Sequence, residues 1–174
     1  MESGELVIMG QKIDGKNIDG VGFMIHPRVQ RSIHSHEILS PRIAVLRLRT
    51  TKNATITIVN CYAPNSVASE EDKDNFYTEL EATVKKEKSY YKYICGDFNA
   101  LVGNGSDGNW RLGRHGNEAR NDNGLRLLDL MSSCNLFMET QTSRSPNIDV
   151  GLEKVRMDKL TRNWITSSRT EDGA

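Results

Sequence analysis

The sequence predicts an α/β sandwich in which helices cover mixed or antiparallel sheets. Three observations carry this expectation. Strand-like segments dominate the first third of the chain, two later segments repeat their apolar residues at helical spacing, and a short apolar run separates those two. A chain of 174 residues fits one domain and is long enough to bury a core. Charged residues at 26% and hydrophobic ones at 37% are the balance of a folded globular protein, too apolar for a wholly disordered one.

Taken in order, Glu5 to Met9 has strand character, and Gly20 to His26 follows. Asp19-Gly20-Val21-Gly22 marks a turn feeding that second run, and Pro27 closes it. Arg42 to Arg49 sets Ile43, Val45, Leu46 and Leu48 against Arg47 and Arg49, and Thr55 to Tyr62 alternates again with β-branched residues. Thr51-Lys52-Asn53 reads as the hairpin turn between them. From Glu70 to Lys88 the period changes: Phe76, Leu80 and Val84 recur at four-residue spacing with Tyr77 beside them, and acidic residues crowd the first turn. This predicts an amphipathic helix lying on a sheet. Tyr90 to Cys95 returns to strand character, and Asn104 to Asn117, rich in Gly and Asn, is a loop. A second helix runs from about Asn123 to Cys134, with Leu125, Leu128 and Met131 on one stripe and Leu127, Leu130 and Cys134 adjacent. Beyond Thr140 the chain is polar and irregular, with a strand hinted at Val155 to Leu160 before a fraying tail.

Lys plus Arg and Asp plus Glu number 23 each, so there is no global field to draw the chain onto a phosphate backbone, and any nucleic-acid surface must be a local patch. The cysteines Cys61, Cys95 and Cys134 are odd in number, sit in apolar contexts and lack the close pairing of a zinc site. A reducing interior suits them. Met1 to Gly10 shows neither a basic leader nor a long apolar stretch, and no run approaches the ~18 apolar residues of a membrane span. The expected setting is intracellular, nuclear or cytoplasmic, without a membrane partner, and the glycosylation triplets at Asn53 and Asn104 are then idle.

Chemistry concentrates in Tyr93-Ile94-Cys95-Gly96-Asp97-Phe98-Asn99-Ala100, an apolar strand ending in a small residue, a carboxylate, an aromatic and an amide. Asp97 can take a proton from water or hold a hard cation, and Asn99 can orient that water or a phosphate oxygen. Equally, Asp and Asn at a strand end can simply make a turn. Ile56 to Asn65 has the same form, an apolar strand that terminates in Tyr62, Pro64 and Asn65. A lone tyrosine there is a core or rim residue. Two such strands side by side would instead offer Tyr62, Asn65, Asp97 and Asn99 at one edge.

Cys61-Tyr62-Ala63-Pro64-Asn65, the helix of Phe76, Tyr77 and Leu80, Ile94 to Ala100, and Asn121 to Asp129 resemble the endonuclease/exonuclease/phosphatase superfamily. Gly20-Val21-Gly22-Phe23 and Arg111 to Gly116 narrow the resemblance to the endonuclease domain of non-LTR retrotransposon proteins and to craniofacial development protein 2-like sequences. It extends over roughly Gly4 to Leu136. The resemblance implies an incomplete four-layered, DNase I-like α/β sandwich over residues 1–164, with a disordered or divergent tail at 165–174. It implies hydrolysis of DNA phosphodiesters with Mg²⁺ or Mn²⁺. Asp97 would align or activate water and hold the metal weakly, Asn99 would steady water and phosphate, Tyr62 would hydrogen-bond phosphoryl oxygens, and Asn65 would support them. Asp158, in Met157-Asp158-Lys159-Leu160, is similar to an aspartate that orients a catalytic histidine. No equivalent of the family's early Asn and metal-binding Glu precedes Glu5, and no His follows His115. The expectation is therefore a truncated domain, impaired or inactive on its own.

Further candidates are the loop group Arg114, His115 and Arg120, which with Arg111 and Arg126 forms a basic cluster able to grip a nucleic-acid backbone or make an ordinary charged surface. His115 can meet a phosphate or be a solvated loop histidine. His34 and His36 share a face if their segment is extended, which makes a metal pair or two solvated rings. The alternative to an enzyme is a non-catalytic module of the same fold that binds nucleic acid or a protein partner. Hydrolysis of small phosphoesters is a third option.

Overall fold

The structure, a computed structural model, describes residues 4–10, 20–50, 54–103 and 119–138, together with the backbone of 163–167. In chain order the elements are β1 (Leu6–Met9), β2 (Gly22–Ile25), a short α1 (Pro27–Gln30), β3 (Ile33–Ser40), β4 (Ile43–Arg49), β5 (Thr55–Tyr62), α2 (Glu70–Lys86), β6 (Tyr91–Asp97), α3 (Asp122–Cys134), β7 (Phe137–Met138) and β8 (Asn163–Ser167). β1 and β2 form an antiparallel pair of their own. The others form a six-stranded mixed sheet in the order β3-β4-β5-β6-β8-β7.

Alternation along β4, β5 and β6 divides the core between the two faces of this sheet. Ile43, Val45, Val59, Cys61 and Ile94 pack against Phe76, Tyr77, Leu80 and Val84 of α2 and Leu127, Leu130 and Met131 of α3. On the other face Leu46, Leu48 and Ile58 meet Ile8, Phe23 and Ile25 of the β1–β2 pair. Asn60 on that face donates from Nδ2 to Gly22 O at 2.8 Å. The described residues thus make three layers: helices, six-stranded sheet, two-stranded sheet. The α/β expectation holds, and the described residues make no fourth layer.

α2 starts where the chain changes period. Ser69 caps it by accepting from Asp72 N at 3.1 Å, Glu70, Glu71 and Asp72 face the positive end of the helix dipole, and Lys85 and Lys86 sit at the negative end. It supplies the crossover that a parallel β5–β6 pair requires. α3 is capped by Asn121, which accepts from Gly124 N at 2.8 Å, and ends at Asn135 in the left-handed conformation.

The structure adds elements that the pattern hides. β3 is an edge strand whose two register shifts, together with exposed His34 and His36, break the alternation by which a strand is recognised. His34 Nδ1 lies 3.1 Å from the guanidinium of Arg49, a cationic neighbour that disfavours metal at this ring. β8 covers Asn163–Ser167. The Thr51–Asn53 turn, the loop from Asn104 to Asn117 and the strand at Val155 to Leu160 lie outside the described residues.

Candidate active site

Three strands deliver polar groups to one end of the large sheet. β5 and β6 are parallel, so their C-terminal ends finish together, with Tyr62 opposite Asp97. β4 runs the other way: Ile43 pairs with Cys61, and the preceding Arg42 stands opposite Tyr62, whose N–H donates to Arg42 O at 3.0 Å. By alternation, Arg42, Tyr62 and Asp97 form a row on the face that carries the β1–β2 pair. Strands lie ~4.8 Å apart, so the row spans about 10 Å. The Arg42 guanidinium carbon lies 5.7 Å from the Tyr62 ring centroid, and Nη1 donates to Tyr62 O at 3.2 Å.

The loops beyond the strands are tied to each other. Ala63 N donates to Asp97 O at 2.8 Å, and Asn99 Nδ2 donates to Ala63 O at 2.8 Å. Asn99 has φ 48°, a left-handed conformation that Asn tolerates, and its N–H donates to Asp97 Oδ1 at 2.9 Å. This closes an Asx turn that orients the Asp97 carboxylate. Phe98, fully buried, pins the turn into the core. The turn reading and the functional reading of Asp97 and Asn99 are therefore compatible: the turn is what aims the carboxylate.

Two asparagines at the start of α3 hold this arrangement from below, and the sequence did not single them out as site residues. Asn121 Nδ2 donates to Asn99 O at 3.0 Å, while its Oδ1 accepts from Leu101 N at 2.9 Å. Asn123, only 2% exposed, donates from Nδ2 to Pro64 O at 2.8 Å and to Asn99 O at 3.3 Å, so one amide bridges both loops. Tyr77 OH donates to Asn123 O at 3.2 Å. The available signal was an Asn-Asp-Asn-Gly run before a helical period, which marks a cap. We expect Asn123→Ala, which strips the buried Pro64 carbonyl of this donor and leaves Asn99 O to Asn121 alone, to destabilise the chain by about 1–3 kcal/mol in urea denaturation. A loss below measurement error would show that the bridge is dispensable.

The remaining candidates divide. Tyr62, Asp97 and Asn99 come together, and Asn65 lies exposed on the turn just beyond, where Ala68 N donates to its carbonyl at 3.2 Å. Asn99, expected to steady water and phosphate, donates from Nδ2 to Ala63 O. Arg120 donates from Nε to Val102 O at 3.0 Å, closing a bridge between the two loop ends. Arg126 leaves the basic cluster, because its guanidinium reaches Asp74 Oδ1 and Glu70 Oε2 on α2, both at 2.7 Å. Arg111, Arg114, His115 and Asp158 lie outside the described residues.

Among the described residues no three His, Cys, Asp or Glu side chains gather as ligands. Asp97 offers one carboxylate, with Oδ1 already accepting from Asn99 N. Hard cations bind through several oxygens, so the described residues do not by themselves make such a site. Burial pushes both the Cys61 and the Cys95 thiol above the ordinary range, which favours their protonated form.

No helix among the described residues is long and apolar enough to cross a membrane. No protein-family model and no solved structure matches the chain. Its sequence is similar to craniofacial development protein 2 of Tragulus javanicus, 28% identical over 169 residues, covering 90% of this chain and 29% of that protein. The protein of the same name from Bos taurus is 26% identical over 169 residues, covering 90% of this chain and 28% of its own length. The chain thus has weak but nearly full-length similarity to craniofacial development protein 2, and spans under a third of these curated relatives.

Proposed function

We propose that this chain carries part of a phosphodiester-cleaving domain of the endonuclease/exonuclease/phosphatase type, with DNA as substrate. The observation that supports it most is the adjacency of Tyr62 and Asp97 at the ends of two parallel strands, with the carboxylate aimed by the Asx turn to Asn99. The two craniofacial development protein 2 sequences fall within the group that the motifs resemble. In this reading Asp97 orients an attacking water and accepts its proton, and the Tyr62 phenol donates to a phosphoryl oxygen as negative charge builds there. Asn99 acts by fixing the carboxylate. Mg²⁺ or Mn²⁺ is the proposed cofactor. Asp97 alone would not hold it.

The test is incubation of the pure chain with supercoiled and abasic-site DNA, with and without Mg²⁺ or Mn²⁺. At most weak nicking that requires the cation is expected of this impaired chain, and Asp97→Asn should reduce it by a factor of about 100 or more. Asn keeps a side-chain oxygen to accept from Asn99 N, so the variant is expected to melt within about 2 °C of wild type, a shift that corresponds to under 1 kcal/mol. Absence of nicking at high protein concentration, with DNA still bound, would favour the non-catalytic binding module.

A further inference from the structure

We infer that the corner where α1 meets the start of β3 and the end of β4 is a second surface for nucleic acid, a phosphate-binding patch formed by Arg28, Arg31 and Arg49. The inference goes beyond the Tyr62–Asp97 site and stands whether or not the chain cleaves DNA. It begins with the distribution of charge. From Gly20 to Ser69 the chain carries six Lys or Arg and three of its four His against a single acid, Glu37, although its formal net charge is zero. That acid is taken up by Arg47, which it meets at 3.2 Å. The first strands are therefore basic as a group, and the balancing acids lie elsewhere in the chain.

Local structure gathers three of these cations. Arg28 and Arg31 stand three residues apart across the single turn of α1, with Arg31 still helical at φ −64°, so their side chains leave from one side. Ser32, next in the chain, accepts from Arg49 N at 2.7 Å, which brings the end of β4 against the end of α1. All three arginines are exposed. A guanidinium only donates, so the 3.1 Å contact of Arg49 Nη2 with His34 Nδ1 makes that ring the acceptor, and it orients the cation without neutralising it. Among the described residues no ion pair holds Arg28, Arg31 or Arg49. Glu5, which the β1–β2 register carries toward His26, is the acid that adjoins the patch, one carboxylate against three guanidinium groups. Planar forks of donors match phosphate oxygens, and a duplex presents a charge about every 1.7 Å of its axis, so all three can be met at once. The patch lies at the other end of β4 and β5 from Tyr62, roughly 20 Å away along the strands, and is separate from the candidate active site.

The test is fluorescence anisotropy of a fluorescein-labelled DNA duplex with the full chain, in EDTA, between about 50 and 200 mM NaCl. In the double variant Arg28→Gln/Arg31→Gln the slope of log K against log salt is expected to fall by about 1.8, the share of two phosphate contacts, with binding at least about tenfold weaker at the lower salt. Arg28→Lys/Arg31→Lys, which keeps both charges, is expected to keep the slope. Both residues are exposed, so the Gln variant is expected to melt within about 2 °C of wild type. Wild-type affinity and slope in the Gln variant overturn the assignment, as does a wild-type chain that binds no duplex. Tighter binding of a polyglutamate peptide, or of phosphatidylserine vesicles, than of the duplex overturns nucleic acid as the occupant. Independently of any variant, saturating duplex is expected to slow phenylglyoxal modification of Arg28, Arg31 and Arg49 severalfold, mapped by mass spectrometry, while Arg126, held by Asp74 and Glu70, keeps its rate. Equal rates with and without duplex at the three arginines overturn the assignment. The nicking assay judges the phosphodiester reading separately.

Discussion

Replacing Gly96 by alanine is expected to lower stability by about 4 kcal/mol, a fall of roughly 8–16 °C in Tm for a chain of this size. A Cβ at this position would lie 1.8 Å from Cys61 O and 2.8 Å from Cys61 C, both of them backbone atoms that cannot rotate aside. The backbone here also has φ 137°, which L side chains rarely adopt. Steric overlap and backbone strain therefore act together on one residue. Relief requires β6 to move away from β5 just where Cys61 pairs with Gly96 and Tyr62 with Asp97. The same substitution should then weaken DNA nicking even at temperatures where the chain remains folded, because Ala63 N would lose Asp97 O. Thermal melting by circular dichroism checks the first effect. A Tm within about 2 °C of wild type would mean that the close approach is not maintained in solution.

Glu87→Ala is expected to cost about 3 kcal/mol at neutral pH, the lower end of the range for breaking a buried pair. Glu87 follows α2 and is 8% exposed. It accepts from Arg47 of β4 through both oxygens, at 2.6 and 2.8 Å, and from Thr57 Oγ1 of β5 at 3.1 Å. These bonds fasten the end of α2 to two strands. Removing the carboxylate leaves a largely buried guanidinium with partly exposed Glu37 at 3.2 Å as its acidic partner among the described residues, which moderates the loss.

The pH dependence follows from the same contacts. The Arg47 guanidinium holds the Glu87 carboxyl below the usual carboxylate range. A depressed folded-state pKa means that the unfolded chain takes up the proton first, near the ordinary Glu value of about 4.3. The contribution is therefore complete above that pH and is lost as pH falls through the lower, folded value. Urea denaturation of wild type and Glu87→Gln should differ most at pH 7, and the gap should begin to narrow below about pH 4.3. A gap that stays constant or widens on acidification would rule out the charged pair as its source.

How far the sequence speaks depends on whether a signal is local. Thr55–Tyr62 alternates, Phe76, Leu80 and Val84 recur at helical spacing, and both segments form the expected elements at nearly the expected bounds, because one buried face imposes one period. β3 escaped because an edge strand with two register shifts carries no clean period. The motifs around Tyr62 and Asp97 were visible as two strand ends rich in polar groups, but their adjacency depends on a parallel pairing closed by a helix crossover. Arg42 was legible only as the first residue of a strand, and Asn123 only as part of a helix start.

By itself, the sequence determined the α/β class, the two helices, the strands flanking them and the residue types at the strand ends, since propensity and periodicity act over a few neighbouring positions. The tertiary structure decided that an antiparallel β4 and a parallel β6 flank β5, which aligns Arg42, Tyr62 and Asp97, and that buried Asn123 bridges the two loops beyond them. Register between distant segments is set by which faces are buried together and by the hydrogen bonds those faces permit, a condition on pairs of segments that no single stretch of chain can express.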